Sequence, residues 1–292
     1  MQVPFLYALV VLIWGTTWIA ITYQLGVVAE EVSVAYRFLI GSASLFVYAL
    51  VTGRQIRVPR RYYGNVIVTG TLMFSANYLF TYYAINYIPS GLVAVAFSLM
   101  VVGNAFFERL FFKTPFERRL LIASALGVIG ISCLFWPEIS TLSFADRSVT
   151  GIGLVLIAVL FASLGNMGAI RNNKRHLPVM AVNAHGMFWG SLVSAIVAIS
   201  QGREFNFAFT PEYLISLLYL SIFGSAVAFG AYLALLRLIG SARAAYTTIL
   251  FPIIALFIST FVENFQWSAL AIVGILFIIA GNWIALTRIK RT

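Results

Sequence analysis

The sequence predicts an all-α integral membrane protein, with ten transmembrane helices built as two five-helix repeats inserted in opposite orientations. Composition and charge placement predict it. Of the 292 residues, 61% are hydrophobic and 10% are charged, and mean hydropathy is +0.96. A water-soluble fold cannot be covered with so little polar surface. Sixteen of the 19 Lys and Arg residues fall in alternate gaps between apolar stretches: Arg54, Arg57, Arg60, Arg61; Arg109, Lys113, Arg118, Arg119; Arg171, Lys174, Arg175; Arg237, Arg243; and Arg288, Lys290, Arg291. The intervening gaps hold Arg147 and Arg203 but seven of the nine acids, Glu30, Glu31, Glu138, Asp146, Glu204, Glu212 and Glu263. Short loops rich in Lys and Arg stay cytoplasmic. The expectation is therefore a multi-pass protein of the cell (inner or plasma) membrane with both termini in the cytoplasm.

A helix needs about 20 apolar residues to cross the hydrocarbon core. The expected spans are 4–25, 32–52, 64–86, 90–112, 118–136, 150–170, 178–200, 213–236, 242–262 and 267–287. The longest gap separates spans five and six. The halves are therefore placed at 1–136 and 150–292, with an inter-repeat loop at 137–149. An odd number of spans, duplicated, must insert inverted.

Span one lacks a basic region before it and has full spanning length, as a retained helix does and a cleaved signal peptide does not. It places Trp14, Thr17 and Trp18 on one face at spacings of three and four. Trp14 lies near mid-span, where belt residues do not normally sit, whereas Trp18 can pack on lipid. Span two carries Arg37, the one cation well inside a span, about 5 residues from its outer end. Three roles are open for it: snorkelling to the headgroups, a purely interhelical contact, or an interior anchor for a substrate carboxylate or phosphate gripped bidentately.

Span three carries Asn77, Tyr78, Thr81, Tyr82 and Asn86 at helical spacing. Asn77, Tyr78 and Tyr82 read as a cavity wall or as interhelical hydrogen bonding, and Tyr83 and Tyr87 as interfacial belt residues. Span four ends near Glu108, and spans five and ten are Gly-rich. There Ala123-x6-Gly130 parallels Gly274-x6-Gly281, a faint mark of duplication. In span six Asn166 suits helix–helix glue, as do Asn104 and Asn282. Span seven contributes Asn183, His185 and Trp189. A lone histidine is more often a packing residue than a proton relay, although histidine is the side chain that titrates between pH 5 and 8.

Seven of the eight prolines lie at or beyond span ends. Pro252 is the exception, in mid-span nine, where it frees the carbonyl of Thr248. It is either a packing kink or a hinge with backbone exposed to a cavity.

The chain resembles the drug/metabolite transporter superfamily, in the branch built from two EamA-type repeats. Trp14-Gly15-Thr16-Thr17, Tyr36-Arg37-Phe38 and the Ile88-Pro89-Ser90-Gly91-Leu92-Val93-Ala94 entry to span four carry the resemblance, with the Gly-rich spans five and ten. It covers nearly the whole chain. It implies a secondary transporter, mostly of the exporter kind, for a small metabolite such as an amino acid or similar amphipathic compound. Family members often carry a proline within span four, and Phe97 to Glu108 contains none, so strictly symmetric gating is in doubt. The substrate-binding candidates are Trp14, Thr17, Arg37, Asn77, Tyr78, Tyr82, His185 and Trp189, with Pro252 as hinge.

No cofactor or metal is expected, since His176 and His185 are nine apart and Cys133 is the sole cysteine. No P-loop is present. The net charge of +10 sits in short loops, where lipid headgroups and the orientation rule account for it without nucleic acid. Partners are a small-molecule substrate, membrane lipid and, as one available assembly, a second copy in a homodimer. The alternative is a membrane-embedded enzyme acting on lipid or peptide. No span holds two carboxylates at i, i+3 or i, i+4, and no Ser–His pair stands out, so no catalytic role is expected. A channel would need a filter-like repeat or an acidic ring. No Asp or Glu lies in the central third of any span, which favours downhill export over proton drive.

Overall fold

A computed structural model of the protein describes residues 2–113, 118–134, 136, 147–232, 234, 235, 238 and 247–286. The described residues form ten helices. They are α1 (Gln2–Thr22), α2 (Glu30–Val51), α3 (Arg60–Thr71, a π-helical turn Leu72–Ala76, then Asn77–Ile85) and α4 (Ser90–Ala96, a 3₁₀ turn Phe97–Leu99, then Met100–Phe112). Then come α5 (Arg118–Leu134), α6 (Arg147–Lys174), α7 (Val179–Ser200), α8 (Pro211–Tyr232, π-helical over Tyr219–Val227), α9 (Thr247–Val262) and α10 (Ala269–Leu286). Six of them are long and apolar enough to cross a membrane, and α5, α9 and α10 contribute shorter apolar helices. The boundaries agree with the expected spans to within a few residues, except that α6 extends one turn beyond its expected cytoplasmic end and α9 is described only from Thr247. Most of the loop expected at 137–149 lies outside the described residues, as do Arg237, Arg243 and the basic tail.

Short loops force antiparallel succession. One end of the bundle therefore gathers the Arg54–Arg61 and Arg171–Arg175 clusters, and the other gathers Glu30, Glu31, Glu204 and Glu263. We call these the basic and acidic ends. The polarity of the bundle is inverted relative to a soluble protein. Large apolar side chains such as Leu50, Val51, Phe261, Leu276 and Trp283 face outward, while Ser33, Ser42, Ser75, Ser194, Ser221 and Ser225 are buried. In hydrocarbon, apolar surface has no reason to hide, and small hydroxyl residues let helices approach and bond across. Ser42, for instance, donates to the Ala184 carbonyl at 2.8 Å and Ser191 to the Ala35 carbonyl at 2.8 Å, stitching α2 to α7.

The chief helix pairs include α1–α9, α1–α4, α1–α8, α2–α7, α2–α8, α3–α6, α3–α7, α4–α6, α4–α9 and α5–α10. Glycines set the closest crossings. A methyl group on Gly70 would lie 2.3 Å from the Gly186 carbonyl oxygen, so α3 and α7 touch backbone to backbone there. The Ala123/Gly130 and Gly274/Gly281 motifs meet each other across α5–α10. A Cβ on Gly130 would lie 2.6 Å from the Gly274 carbonyl, and one on Gly281 would lie 2.9 Å from the Ala123 carbonyl.

Candidate functional site

Arg37 occupies the middle of a buried polar cluster and is 1% exposed. It does not reach the headgroups. The first turn of α2 holds Glu30 and Glu31 at the acidic end, so Arg37 lies less than two turns below the rim, yet its stem turns inward. Its Nε donates to Ser225 Oγ on α8 at 3.4 Å, and an Nη donates to the Tyr82 hydroxyl on α3 at 3.4 Å. Both bonds are long. The guanidinium lies over the ring of Tyr78, 4.6 Å from its centroid, and 5.3 Å from that of Phe38. Among the described residues no carboxylate lies within ion-pair reach of it. Tyr82, fully buried, donates to Gln24 Oε1 at 2.7 Å, just past the end of α1.

The π-helical stretch of α8 completes this cluster. There the Ser225 hydroxyl donates to the Leu220 carbonyl, five residues back, at 2.9 Å. Neighbouring Gly224 is where α1, α2 and α8 converge. Its carbonyl accepts from Trp14 Nε1 at 3.3 Å. A Cβ there would meet Thr17 Cγ2 at 2.8 Å and an Arg37 Nη at 3.5 Å. Trp14 is further enclosed by Phe229, Tyr232 and Phe251. Trp18 packs on Phe97 and Phe251 with its Nε1 buried and unpartnered, so it faces the bundle rather than lipid.

Five of the candidates thus come together: Trp14, Thr17, Arg37, Tyr78 and Tyr82. Asn77 does not join them. It donates to the Met73 carbonyl at 3.3 Å, and Thr81 Oγ1 bonds the Asn77 carbonyl at 2.8 Å. Residues 77 and 81 stack one turn apart, as do 78 and 82, and about 100° separates the two rows. Only the tyrosine row faces Arg37.

His185 and Trp189 also lie apart, towards the basic end. His185 Nε2 is 3.1 Å from the Ile56 carbonyl and Nδ1 is 3.0 Å from the Tyr63 hydroxyl. A carbonyl only accepts, so Nε2 carries the proton and Nδ1 accepts from Tyr63. Phe46 and Tyr63 flank the imidazole edge-on, and the Trp189 ring lies 6.3 Å from Tyr63. The histidine fastens α7 to the α2–α3 connection.

Several residues outside the expected set matter. Gln24, Gly224 and Ser225 build the Arg37 cluster; none shows in the sequence, because a π-helical turn and a post-helical loop have no periodic signature. At the acidic end, Tyr83 donates to the buried Glu31, whose other oxygen lies 3.6 Å from Arg203 Nε. Tyr83 is therefore an interhelical ligand of Glu31, not a free belt residue. Glu263 accepts from the Ser90 amide at 2.9 Å and from the Ser90 hydroxyl at 2.7 Å, and Ser259 also donates to it. It caps the N-terminus of α4 from the end of α9. Pro252 is buried and borders an apolar cleft of about 110 Å³ with Val95, Ser98, Leu256, Trp267 and Ile275.

The EamA-like transporter family model matches residues 3–136 and again 149–287. The chain is 26% identical over 277 residues to the Escherichia coli (strain K12) inner membrane transporter YedA, covering 92% of this chain and 86% of that protein. It is 20% identical to the Bacillus subtilis (strain 168) transporter YoaV over 93% of this chain and 92% of the other. It is 21% identical to the Salmonella typhimurium protein PagO over 98% and 93%. A solved crystal structure superposes with a TM-score of 0.70 at 18% identity, covering 96% of this chain and 95% of that one. That likeness shows the fold.

Proposed function

Because the chain belongs to the EamA-like transporter family, a multi-pass membrane family of transporters, we propose that it is a secondary exporter of a small amphipathic metabolite. Arg37 anchors the acidic group of that metabolite, and the two halves alternate access to it. The observation that carries the proposal is a guanidinium that is 1% exposed and has no carboxylate within reach among the described residues. A buried charge without a counter-ion is strongly unfavourable, and ionisable residues inside a membrane are usually functional. An anionic cargo supplies the missing partner. Trp14, Thr17, Tyr78 and Tyr82 give it apolar and aromatic walls.

Alternating access rests on the two matched segments. Taking residues 1–136 and 150–292 as inverted repeats, exchanging each helix for the one five places later returns several of the chief pairs, though not α1–α4: α1–α9 becomes α4–α6, α1–α8 becomes α3–α6, and α2–α8 becomes α3–α7. The Arg37 cluster draws Arg37, Gln24 and Tyr82 from one half and Gly224 and Ser225 from the other. A rocking motion therefore opens and closes it. Pro252 serves as the hinge within α9. The Lys and Arg clusters of the sequence support a cytoplasmic position for both termini.

Transport runs downhill. His185, with both ring nitrogens engaged, acts as a fastener, and Glu31 and Glu263 are held by interhelical donors. Thermal unfolding of the purified protein against a metabolite panel tests the site, since a ligand stabilises the folded state by mass action. The effective ligand is expected to lose its effect in Arg37→Ala and Tyr82→Ala. Full stabilisation in both variants overturns the assignment, and strict dependence of flux on a pH gradient in proteoliposomes overturns downhill transport.

A further inference from the structure

We propose that the cargo held at Arg37 is an organic acid anion whose second polar group accepts hydrogen bonds, as in a 2-oxo or 2-hydroxy acid, and that Gln24 selects it against the matching amino acid. This rests on Arg37 as the anchor and follows from the donors and acceptors around it.

Each acceptor around Arg37 already takes a donor from the protein. The Tyr82 oxygen accepts from Arg37, Ser225 Oγ accepts from Arg37 and donates to the Leu220 carbonyl, and the Gly224 carbonyl accepts from Trp14. Tyr82 has a single proton. Arg37 can only donate, so that proton goes to Gln24, which fixes the amide with Oε1 towards Tyr82 and Nε2 away from it. The orientation of the amide is thus set by the network. Gln24 is 1% exposed, and its Nε2 has no partner. Two N–H groups of a buried amide are left to donate, beside a guanidinium held by only two long bonds. Trp18 Nε1 is a further buried donor without an acceptor.

A cationic site with unpartnered donors and engaged acceptors favours an anion over an ammonium group. A zwitterionic amino acid would set its ammonium among N–H groups beside a guanidinium, with no carboxylate to receive it. The nearest acid in sequence, Glu31, is taken by Tyr83 and Arg203. An oxo or hydroxyl oxygen next to the cargo's carboxylate instead offers lone pairs to Gln24 while the carboxylate meets Arg37. Sites built around buried polar groups discriminate strongly against analogues that leave those groups unpaired.

Matched pairs test this on the full-length protein in detergent: pyruvate and alanine, 2-oxoisocaproate and leucine, phenylpyruvate and phenylalanine. Ligand-dependent Tm gives the affinity ratio within each pair. For at least one pair, the oxo acid is expected to bind more than about tenfold more tightly than the amino acid. Gln24→Leu should bring that ratio below about threefold by removing the discriminating donor, and Arg37→Ala should abolish both responses. Gln24→Asn, which keeps the amide but shortens its reach, should lower the ratio in the same way if the leucine variant does not purify as a single species. An amino acid that outbinds its oxo acid, with the response lost in Arg37→Ala, refutes the selectivity and leaves the anchor standing. An oxo-acid response unchanged in Arg37→Ala refutes both. No response to any oxo acid refutes the inference.

Discussion

Replacing Arg37 with Met should make the ligand-free protein more stable while abolishing transport. In the folded state the guanidinium gains a cation–π contact with Tyr78 at 4.6 Å, worth up to about 2 kcal/mol when desolvated. Two hydrogen bonds of 3.4 Å add about 1 kcal/mol together, since bonds at that length fall at the weak end of the range. Against this stands the desolvation of an ion with no counter-ion, several kcal/mol even after relaxation. Methionine has a similar length, needs no partner, and packs well against the Tyr78 and Phe38 rings. Tyr82 keeps its bond to Gln24, and Ser225 keeps its bond to the Leu220 carbonyl, so neither hydroxyl loses its acceptor. The balance favours Met by about 1–2 kcal/mol, which corresponds to about 2–6 °C in Tm for a chain of this size. Intrinsic tryptophan fluorescence during heating in detergent reads the stability, and counterflow of an identified ligand in proteoliposomes reads function. A functional cation kept at the expense of stability gives a higher Tm and no counterflow. A fall in Tm of more than about 5 °C would show that the guanidinium braces the helices, and the anchor assignment would fail.

Three further perturbations probe the frame. Glu263→Ala removes the acceptor shared by the Ser90 amide, Ser90 Oγ and Ser259; the two hydroxyls can turn back to their own helices, so the loss is that of one charged cap, about 2 kcal/mol, seen as a Tm lower by about 4–6 °C. Gly70→Ala drives a methyl against the Gly186 backbone at 2.3 Å and should lower stability by about 1–3 kcal/mol, whereas Gly64→Ala, which meets nothing within 4 Å, should stay within about 0.5 kcal/mol of the parent. His185→Ala leaves the Tyr63 hydroxyl without an acceptor and the Ile56 carbonyl without a donor, a loss of about 1–3 kcal/mol, while the pH profile of transport stays unchanged. A shifted profile would make His185 a proton carrier.

The ten helices were legible because a membrane imposes two coarse requirements, a run of apolar residues and a sidedness of charge, and both survive in a single sequence. The candidate site was legible only in part. Arg37 announced itself as a lone cation in a span, and Trp14, Thr17, Tyr78 and Tyr82 stood out by their helical spacing on neighbouring spans. His185 and Trp189 were drawn in by chemical type alone, with nothing in the sequence to say which end of α7 meets which partner. Asn77 was placed on the tyrosine row because spacings of one and four look alike along a chain, yet one residue turns the side chain by about 100°. Gln24 carries no periodic or compositional signal, since it follows a helix end, and its role comes from Tyr82 reaching across from α3. The Ala123/Gly130 and Gly274/Gly281 motifs read as an echo between halves, and in space they are also the two sides of one crossing.

Irregular backbone occurs at matching places in the two halves, and this bears on the proline missing from span four. The third helix of each half is π-helical beside Arg37: α3 over Leu72–Ala76 and α8 over Tyr219–Val227. The fourth helix of each half carries a weak point: Pro252 within the continuous helix α9, and the 3₁₀ turn Phe97–Leu99 in α4. A proline weakens a helix by deleting a donor and crowding the carbonyl four residues back. A 3₁₀ turn weakens it by tightening to i→i+3 bonds of poorer geometry. The two routes differ chemically but yield the same mechanical result, a helix that bends at one place. Pro252 and Ser98 border the same apolar cleft, so the weak points of α4 and α9 lie against each other where these helices pack. The absence of a proline from α4 thus leaves the halves chemically unequal and mechanically alike. A joint formed by two facing weak points can yield in either direction, which is what the proposed alternation between two open states would need.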